Sequence, residues 1–241
     1  MDLNRIFVKD KSLKKDDVNI YLHLIAHEIR SPLVSIQGYT SLLREKYLEN
    51  LPPDGRDYLL RIASNLERAE TLLSDITQLA RVAIVESNFK KVAVRDLIDT
   101  ALEPHWFRIK KLNLKIHVAD DMPELYCDES AMNIVFSNLI GNAVKYSRDN
   151  VAGNIDIGYI GDEIFHKFFI KDEGVGFKAS DRNKVFLLFN RLRNKKNVSG
   201  SGLGLSIVKQ IIEGHGGEIW VESRKNRGSK FYFTLPKNSP A

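Results

Sequence analysis

The chain has a single cysteine and no long apolar run, and each scarcity excludes a class of protein. Because Cys127 has no second cysteine to pair with, a small fold held by internal disulfides is excluded. No stretch approaches the roughly 18–20 apolar residues that a membrane-spanning helix needs. The charged start, 1–15, lacks the apolar core of a signal peptide. We therefore expect a cytoplasmic chain with no membrane span of its own.

Positive charge is in slight excess but is not concentrated. The 36 Lys and Arg are interspersed with 31 Asp and Glu along 241 residues, for a formal net charge of +5. Because the basic residues are spread along the chain beside nearly as many acidic ones, nucleic-acid binding is not expected. A hydrophobic fraction of 43% and a charged fraction of 28% are typical of a folded globular protein. The length suits two modest domains.

The first third of the chain carries apolar residues at helical spacing. After the breaker cluster 50–55, the same spacing resumes from Tyr58 to Ala80, which predicts an antiparallel helical hairpin. Such a hairpin buries only a narrow stripe, so two copies pairing into a four-helix bundle is the favoured interpretation. A hairpin folded onto the rest of the chain is the alternative. The first predicted seam comprises Val18, Leu22, Ile25, Ile29, Leu33, Ile36, Thr40, Leu43 and Tyr47.

After about Glu86 the pattern changes to short β-prone runs that alternate with helical stretches. This alternation predicts an α+β sandwich domain. Helices are expected at 94–112, 128–147 and 203–214. Strands are expected at 91–94, 114–118, 154–160, 165–170, 218–222 and 230–235.

His27 lies inside the first predicted helix, two residues past Ile25 of the seam, and is expected to face solvent. An exposed imidazole with a free ring nitrogen is a competent nucleophile. The adjacent Glu28 can orient the ring, accept its proton or stabilise positive charge on it. Pro32 removes a backbone donor and is expected to bend or loosen the helix just after the histidine. A surface histidine on a helix usually has no catalytic role. The prediction for His27 therefore depends on the motifs that accompany it.

A polar cluster lies on a predicted helix of the second domain. Asn138, Asn142 and Lys145 are spaced by four and three residues, which puts them on one helix face. Amide oxygens can ligate Mg²⁺ without adding negative charge, and a lysine can reach phosphate groups. A solvated helix face is the alternative interpretation for each residue alone.

Two glycine-rich segments follow. In 172–177, glycines after a strand leave room for a flat ligand, and Asp172 can face an adenine amino group; a tight turn is the alternative. The second segment, 200–205, precedes a helix whose free amides form an anion site, but its pattern is not a dinucleotide fingerprint. Between them, the Arg- and Lys-rich stretch 190–199 is expected to be a mobile lid. From it, Arg191 could neutralise phosphate oxygens.

The order of these motifs makes a resemblance specific. His-Glu-x-x-Ser-Pro at 27–32 comes first, then the asparagine cluster, Asp-x-Gly-x-Gly, Phe-Leu-Leu-Phe-Asn-Arg at 186–191 and Gly-x-Gly-Leu-Gly-Leu. In this order they resemble the dimerisation and ATP-binding halves of sensor histidine kinases of two-component signalling. The second half is also similar to the GHKL ATPase superfamily. The resemblance covers roughly 16–236.

The resemblance implies an architecture. An antiparallel helical hairpin dimerises into a four-helix bundle and is followed by a GHKL-like α+β sandwich that binds ATP. Residues 1–15 are then the end of an input connector helix. Residues 16–86 form the dimerisation and histidine phosphotransfer domain, and 87–241 form the catalytic ATP-binding domain.

The resemblance also implies a reaction. MgATP phosphorylates His27, beside Glu28, and the phosphoryl group then passes to an aspartate of a response regulator receiver domain. Asn142 is implied as the magnesium ligand, and Lys145 and Arg191 as catalytic cations. The implied ATP-binding set is Asn138, Asn142, Lys145, Tyr146, Asp172, Gly174, Gly176, Arg191, Gly200, Gly202, Leu203 and Gly204.

Several points stay open at the level of the sequence. Ser31 stands where the family often carries Thr or Asn to position a dephosphorylating water, so phosphatase activity is undecided. No recognisable sensor precedes residue 16, so we expect a fragment whose sensor, membrane-bound or soluble, lies elsewhere. The sequence does not indicate the input signal or the cognate regulator. It also does not indicate whether phosphorylation occurs in cis or in trans. A non-catalytic signalling scaffold and an ATPase doing conformational work are the alternative functions.

Overall fold

The computed structural model describes residues 15–84, 88–148, 151–161, 163–190 and 201–237. Contacts within the chain divide it into two compact units, Met1–Val85 and Glu86–Ala241. Within the described residues, no helix combines the length and the apolar content needed to cross a bilayer.

The first unit is a helical hairpin, which confirms that prediction. Helix α1 spans Lys15–Tyr47 and continues through Pro32. A single 3-10 turn, Leu48–Asn50, leads to helix α2, Pro53–Ile84. Both helices exceed 30 residues, with 33 in α1 and 32 in α2, so the hairpin presents a long surface relative to its narrow core.

The breaker cluster closes the hairpin through identifiable contacts. Pro53 occupies the first position of α2, where a missing N–H needs no partner. The Arg56 guanidinium donates to the backbone oxygens of Leu51, at 2.9 Å, and Glu49, at 2.6 Å. These bonds satisfy carbonyls that the ended helix leaves without an intrahelical donor.

The predicted apolar seam divides into two stripes in the single hairpin. One stripe is buried between α1 and α2, where Gln37 Nε2 also donates to Glu70 Oε2 at 3.1 Å. Its buried members include Ala26, Thr40, Leu59, Leu66, Leu73 and Thr77. The other stripe is 45–53% exposed and comprises Ile25, Ile29, Ile36, Leu43 and Tyr47. Two helices can cover only one stripe of each other, so the second stripe remains open.

The second unit is an α+β sandwich, as predicted. Its strands are β1 Phe89–Ala93, β2 Lys115–Val118, β3 Glu124–Asp128, β4 Asn154–Gly161, β5 Phe165–Asp172, β6 Ile219–Ser223 and β7 Ser229–Pro236. Its helices are α3 Val94–Leu102, α4 Trp106–Lys111, α5 Glu129–Lys145 and α6 Gly204–Gly214. Strands β2, β4, β5, β7 and β6 form one sheet in that order, and β1 and β3 form a second. Strands β2 and β4 pair in parallel, and the other pairs are antiparallel.

One element differs from the sequence prediction, and another was suggested without bounds. The helix expected over 94–112 is interrupted by a 3-10 turn, Glu103–His105, because Pro104 cannot donate to a continuous helix. Strand β3 lies where Leu125 and Tyr126, beside Cys127, suggest a strand in the sequence, although its bounds were not predicted. Its partner β1 supplies the pairing that makes it a strand.

The core lies on one face of the larger sheet. Phe136 of α5 packs edge-on against Phe233 of β7, with ring centroids 5.6 Å apart, and Phe168 of β5 stacks on the same ring at 5.1 Å. Alternate residues of a strand point to opposite faces. Asp172, four residues after Phe168, therefore lies on the helix-covered side, at the end of β5.

Candidate functional sites

His27 faces solvent on α1. Its side chain is 72% exposed and that of Glu28 is 86% exposed. Ala26 is turned against α2 with 2% exposure, so the next residue points away from the interhelical core. The Nδ1 atom lies 3.8 Å from Glu28 Oε1, which is too long for a hydrogen bond but close enough to orient the ring electrostatically. This arrangement confirms the predicted exposure.

The face of α1 that carries His27 stays open over the following turns. Ser31 is exposed, and Val34 is 54% exposed. No described atom lies within 4 Å of a Cβ built on Gly38. Residues at these spacings share one helix face. Small side chains there leave room for another protein surface to approach the histidine.

The asparagine cluster occupies one half-buried face of α5. Asn138, Asn142 and Lys145 share this face, while the other sides of the helix are packed in the core. The Lys145 ammonium lies 5.7 Å from the centroid of the Tyr146 ring. The helix begins at an N-cap, Asp128, whose Oδ1 accepts from the Ala131 N–H at 2.9 Å.

Asn138 brings the second glycine segment to this face. Its Nδ2 donates to the Ile134 oxygen at 2.9 Å, while its Oδ1 lies where a Cβ on Gly204 would stand. Because α5 and α6 approach closely here, a Cβ on Gly204 would force the Asn138 amide out of its position. The start of α6 therefore abuts the polar face of α5.

We expect Gly204→Ala to lower the free energy of unfolding by about 1–3 kcal/mol, because the added methyl overpacks the α5–α6 contact. Gly214 closes the same helix with no described atom within 4 Å of its Cβ position. Gly214→Ala is the matched control, with an expected change within about 0.5 kcal/mol. Urea denaturation of both variants measures the difference. Equal stability of the two would contradict the close approach.

The start of α6 presents backbone N–H groups in the arrangement that can bind an anion. Gly202 has φ of +82°, and Leu203 turns its side chain into the core at 1% exposure. The Leu203 N–H donates to Ser201 Oγ at 3.0 Å. The N–H groups of the first helical turn have no intrahelical acceptor and carry the positive end of the helix dipole. Leu203 thus anchors the loop, and its side chain is not available to a ligand.

Asp172 is a buried carboxylate at the end of β5. Its residue is 5% exposed, and burial raises the pKa of this carboxyl to about 6, although the N–H groups of Gly174 and Ser229 partly oppose the shift. The Gly174 N–H donates to Asp172 Oδ1 at 2.8 Å. A Cβ on Gly174 would lie 2.7 Å from the same oxygen. The carboxylate is therefore held in one orientation by the loop that follows it.

The loop 172–177 is fixed from two sides. The Val175 N–H donates to the Tyr146 oxygen at the end of α5, at 3.0 Å. The Phe177 N–H donates to Ser223 Oγ of β6 at 2.9 Å. Gly228 has φ of +85°, and a Cβ on it would collide with the Asp172 carbonyl. The first glycine segment thus joins the polar face of α5 to the β6–β7 turn.

The structure assembles most of the predicted nucleotide set in one region. The Asn138 amide oxygen lies beside Gly204. The Tyr146 carbonyl accepts a hydrogen bond from the loop that begins at Asp172. Arg191, Gly200 and the rest of the predicted lid after Asn190 lie outside the described residues. The polar α5 face, the buried carboxylate and the amide-rich start of α6 are the parts expected of a site for a purine nucleotide with its phosphates.

Sequence analysis missed Arg148 and Ser223. Arg148 Nε donates to the Gly174 oxygen at 3.3 Å, and its Nη2 donates to the Asn226 oxygen. Ser223 Oγ accepts from the backbone of the first glycine segment and donates to the Gly228 oxygen at 3.0 Å. Neither residue belongs to a local pattern, and no signal in the sequence distinguishes them.

Two family models match the chain. Residues 21–83 match the His Kinase A (phospho-acceptor) domain, and 127–239 match the histidine kinase-, DNA gyrase B- and HSP90-like ATPase family. The chain belongs to the sensor histidine kinases. The first match contains His27, and the second contains the α5 face and both glycine segments.

This histidine kinase chain is similar to long signalling proteins. It is 33% identical to cyanobacterial phytochrome B of Nostoc sp. over 221 residues, which are 91% of this chain and 29% of that protein. It is 33% identical to the adaptive-response sensory kinase SasA of Synechocystis sp. over 231 residues, covering 89% of this chain and 58% of that protein. The chain therefore spans less than two thirds of either relative.

The fold is also found among solved structures. Full-length ShkA, solved in complex with AMPPNP, is 24% identical and gives a TM-score of 0.69 over 92% of this chain and 47% of its own. This likeness supports the order of a helical hairpin followed by an α+β domain.

Proposed function

We propose that this chain is the catalytic core of a protein histidine kinase. It uses MgATP to phosphorylate His27 and then passes the phosphoryl group to an aspartate of a response regulator receiver domain. The observation that carries the proposal is the presence of an exposed His27–Glu28 pair on the hairpin and of a buried carboxylate, Asp172, beside a glycine segment of the second unit. A signalling scaffold that does not consume ATP would need neither the exposed histidine–glutamate pair nor the buried carboxylate.

The nucleotide is proposed to bind with its base at Asp172. The carboxylate accepts a hydrogen bond from the adenine amino group. The missing side chain of Gly174 lets the loop pack against the Tyr146 carbonyl and the Asp172 carboxylate, so the glycine positions the carboxylate and does not leave open space for the ring. The phosphates then extend toward the amides at the start of α6 and toward Lys145. Arg191, as a basic group on the lid, is proposed to neutralise the terminal phosphate, because positive charge there stabilises a transferred phosphoryl group.

This site suits a Mg²⁺ ion that is coordinated jointly by the protein and the nucleotide phosphates. Among the described residues, no group of three or more His, Cys, Asp or Glu could hold a metal ion alone. Asn142 offers a neutral amide oxygen, and Mg²⁺ is commonly held by few protein ligands together with substrate phosphates. The ion would supply charge neutralisation of the phosphates. Asn138 is proposed instead to position α6, because its oxygen faces Gly204.

His27 is proposed to attack through Nε2. Glu28 lies nearest Nδ1, which favours the tautomer with its proton on Nδ1 and the lone pair on Nε2. A bond forms from Nε2 to the γ-phosphorus as the bond from that phosphorus to the bridging oxygen breaks, and ADP leaves. The positive charge on the ring is stabilised by Glu28, which can take the Nδ1 proton.

The exposed apolar stripe of the hairpin is proposed to be covered by a second copy of the chain. Its α1 members are joined on α2 by Tyr58, 64% exposed, and Ile62, 47% exposed. A contiguous apolar surface of this kind marks an interaction site. Two hairpins packed together give a four-helix bundle whose open sides each carry one His27.

We expect Ile36→Glu to convert a dimer into a monomer, because a charge would have to be buried against the second hairpin. Val34→Glu is the control: Val34 is exposed on the His27 face, so its variant should keep the dimeric mass. Sedimentation equilibrium measures both masses. An Ile36→Glu protein that stays dimeric would rule out this stripe as the interface.

Ser31 is proposed to orient water for dephosphorylation of the partner. It is exposed one helical turn after His27. We expect Ser31→Ala to slow loss of phosphate from a phosphorylated receiver about tenfold or more, within the range that general catalysis by one side chain provides. Phosphate release is measured with ADP present. Identical rates for variant and wild type would mean that Ser31 has no such role.

The proposal is tested by labelling. The chain is incubated with Mg²⁺ and ATP labelled in the γ-phosphate, and the protein phosphate is exposed to acid and to alkali. Acid-labile, alkali-stable label is expected, followed by its transfer when a cognate receiver domain is added. Phosphate released only into solution would indicate an ATPase, and the absence of turnover would indicate a scaffold.

A further inference from the structure

Arg148, just after α5, contacts two segments of the proposed nucleotide site. It lies three residues beyond Lys145, the last residue of α5, and its side chain is half-buried. Its Nε donates to the Gly174 oxygen at 3.3 Å, and its Nη2 donates to the Asn226 oxygen. One guanidinium therefore spans the loop 172–177 and the β6–β7 turn.

The β6–β7 turn itself packs against that loop. The Asn226 N–H donates to the Val175 oxygen at 2.7 Å, with Asn226 in a left-handed conformation at φ of +61°. A Cβ on Gly176 would lie 2.7 Å from the Gly228 oxygen. The carbonyl that Arg148 contacts thus belongs to a residue that already bonds the loop through its N–H.

We propose that Arg148 is a positioning residue that latches the base-binding loop 172–177 to the β6–β7 turn and so pre-forms the adenine site. The proposal rests on the proposed function, because it assumes that Asp172 receives the base. Nothing in the reaction requires Arg148 to touch the nucleotide.

The physical need for a latch follows from the composition of the loop. Gly174, Gly176 and Gly228 give the loop and the turn beside it many accessible backbone conformations. Ordering such a segment on binding lowers affinity, and holding it in the bound conformation beforehand removes that loss. Arginine suits the task because its planar fork reaches two carbonyls at once, whereas lysine offers a single compact donor group.

The test compares Arg148→Ala, Arg148→Lys and Arg227→Ala, in which an exposed arginine of the turn that Arg148 contacts is removed. The dissociation constant for ATP is measured by calorimetry on the whole chain at pH 7.5. We expect it to rise about tenfold in Arg148→Ala, to rise less in Arg148→Lys, and to stay within about twofold in Arg227→Ala.

A second measurement separates latching from general folding. Because the phosphates of ATP titrate equally for every variant, differences between variants in the pH at which nucleotide affinity falls report the ionisation of Asp172. A loosened loop admits water to that carboxyl. We expect the midpoint in Arg148→Lys and Arg148→Ala to move below the wild-type midpoint, toward the ordinary range of an aspartate. Amide hydrogen exchange at Val175 and Asn226 should quicken in the same variants.

The outcomes discriminate. Wild-type affinity, an unchanged pH midpoint and unchanged exchange in both Arg148 variants would overturn the latch. An equal loss in Arg227→Ala would also overturn it, because general charge near the turn would then explain the effect. A wild-type chain that does not bind ATP would instead overturn the proposed function. If Arg148→Ala does not fold, the ATP affinity and the amide exchange rates of Arg148→Lys test the latch instead.

Discussion

His27→Gln is expected to leave the chain unlabelled by ATP carrying a labelled γ-phosphate. Glutamine is similar in size and polar, but its amide nitrogen has no lone pair available for attack on phosphorus. We expect at least a 10³-fold reduction, roughly the detection limit, because no nearby group replaces a missing nucleophile. Incorporation of label per chain, read after denaturing electrophoresis at neutral pH, measures the effect.

Two controls test whether the loss of label comes from removal of the phosphoacceptor. Nucleotide affinity should be unchanged in His27→Gln, since His27 lies in the first unit and the base site in the second. His117→Gln removes another exposed histidine, on β2, and should keep wild-type labelling. Label retained in His27→Gln would show that the acceptor is a different residue.

Asp172→Asn is expected to weaken ATP binding about 100-fold at pH 7.5. The asparagine oxygen can still accept from the Gly174 N–H, so the loop keeps its main contact. The amide NH₂ then faces the adenine amino group, and two donors meet where a charge-assisted hydrogen bond is proposed. Loss of such a bond, with a donor left unsatisfied, accounts for an effect of this size. Calorimetry on both proteins measures the dissociation constants.

Although Asp172→Asn should weaken ATP binding, it should not lower the free energy of unfolding at pH 7.5. The pKa of Asp172 is raised to about 6, mainly by burial, from an unfolded value of about 4. The folded state therefore holds this proton more tightly than the unfolded chain. The resulting stabilisation is complete below about pH 4 and is lost as the pH rises through about 6. At pH 7.5 the buried carboxylate opposes folding, so Asp172→Asn should not unfold more readily than wild type.

The pH profile of binding gives an independent check. Wild-type affinity for ATP is expected to be level well above pH 6 and to fall by up to about tenfold per pH unit below it, as Asp172 is protonated. The phosphates of ATP titrate in the same region, but they do so equally for both proteins. The ratio of wild-type to Asp172→Asn affinity therefore isolates the carboxyl. A ratio that does not change between pH 5 and pH 8 would remove Asp172 from base recognition.

Local patterns were sufficient for much of the fold. Helical spacing predicted both helices of the hairpin, and the breaker cluster placed the turn between them. The exposure of His27 followed from its offset from the seam. Leu125 and Tyr126 suggested a strand beside Cys127, but its pairing with β1 was seen only in the structure. The division of the seam into a buried and an exposed stripe also required the second helix to be in place.

The sequence by itself determined the order of the motifs, the periodicity of the helices and the family to which the chain belongs, because these depend on residues close together along the chain. The tertiary structure alone decided how the site is held. Arg148 bonds oxygens that are 26 and 78 residues away, and Asn138 places its amide oxygen where a Cβ on Gly204 would stand. Burial, which raises the pKa of Asp172, also comes from distant elements. Contacts and burial of this range arise only when the chain is folded, so no local pattern encodes them.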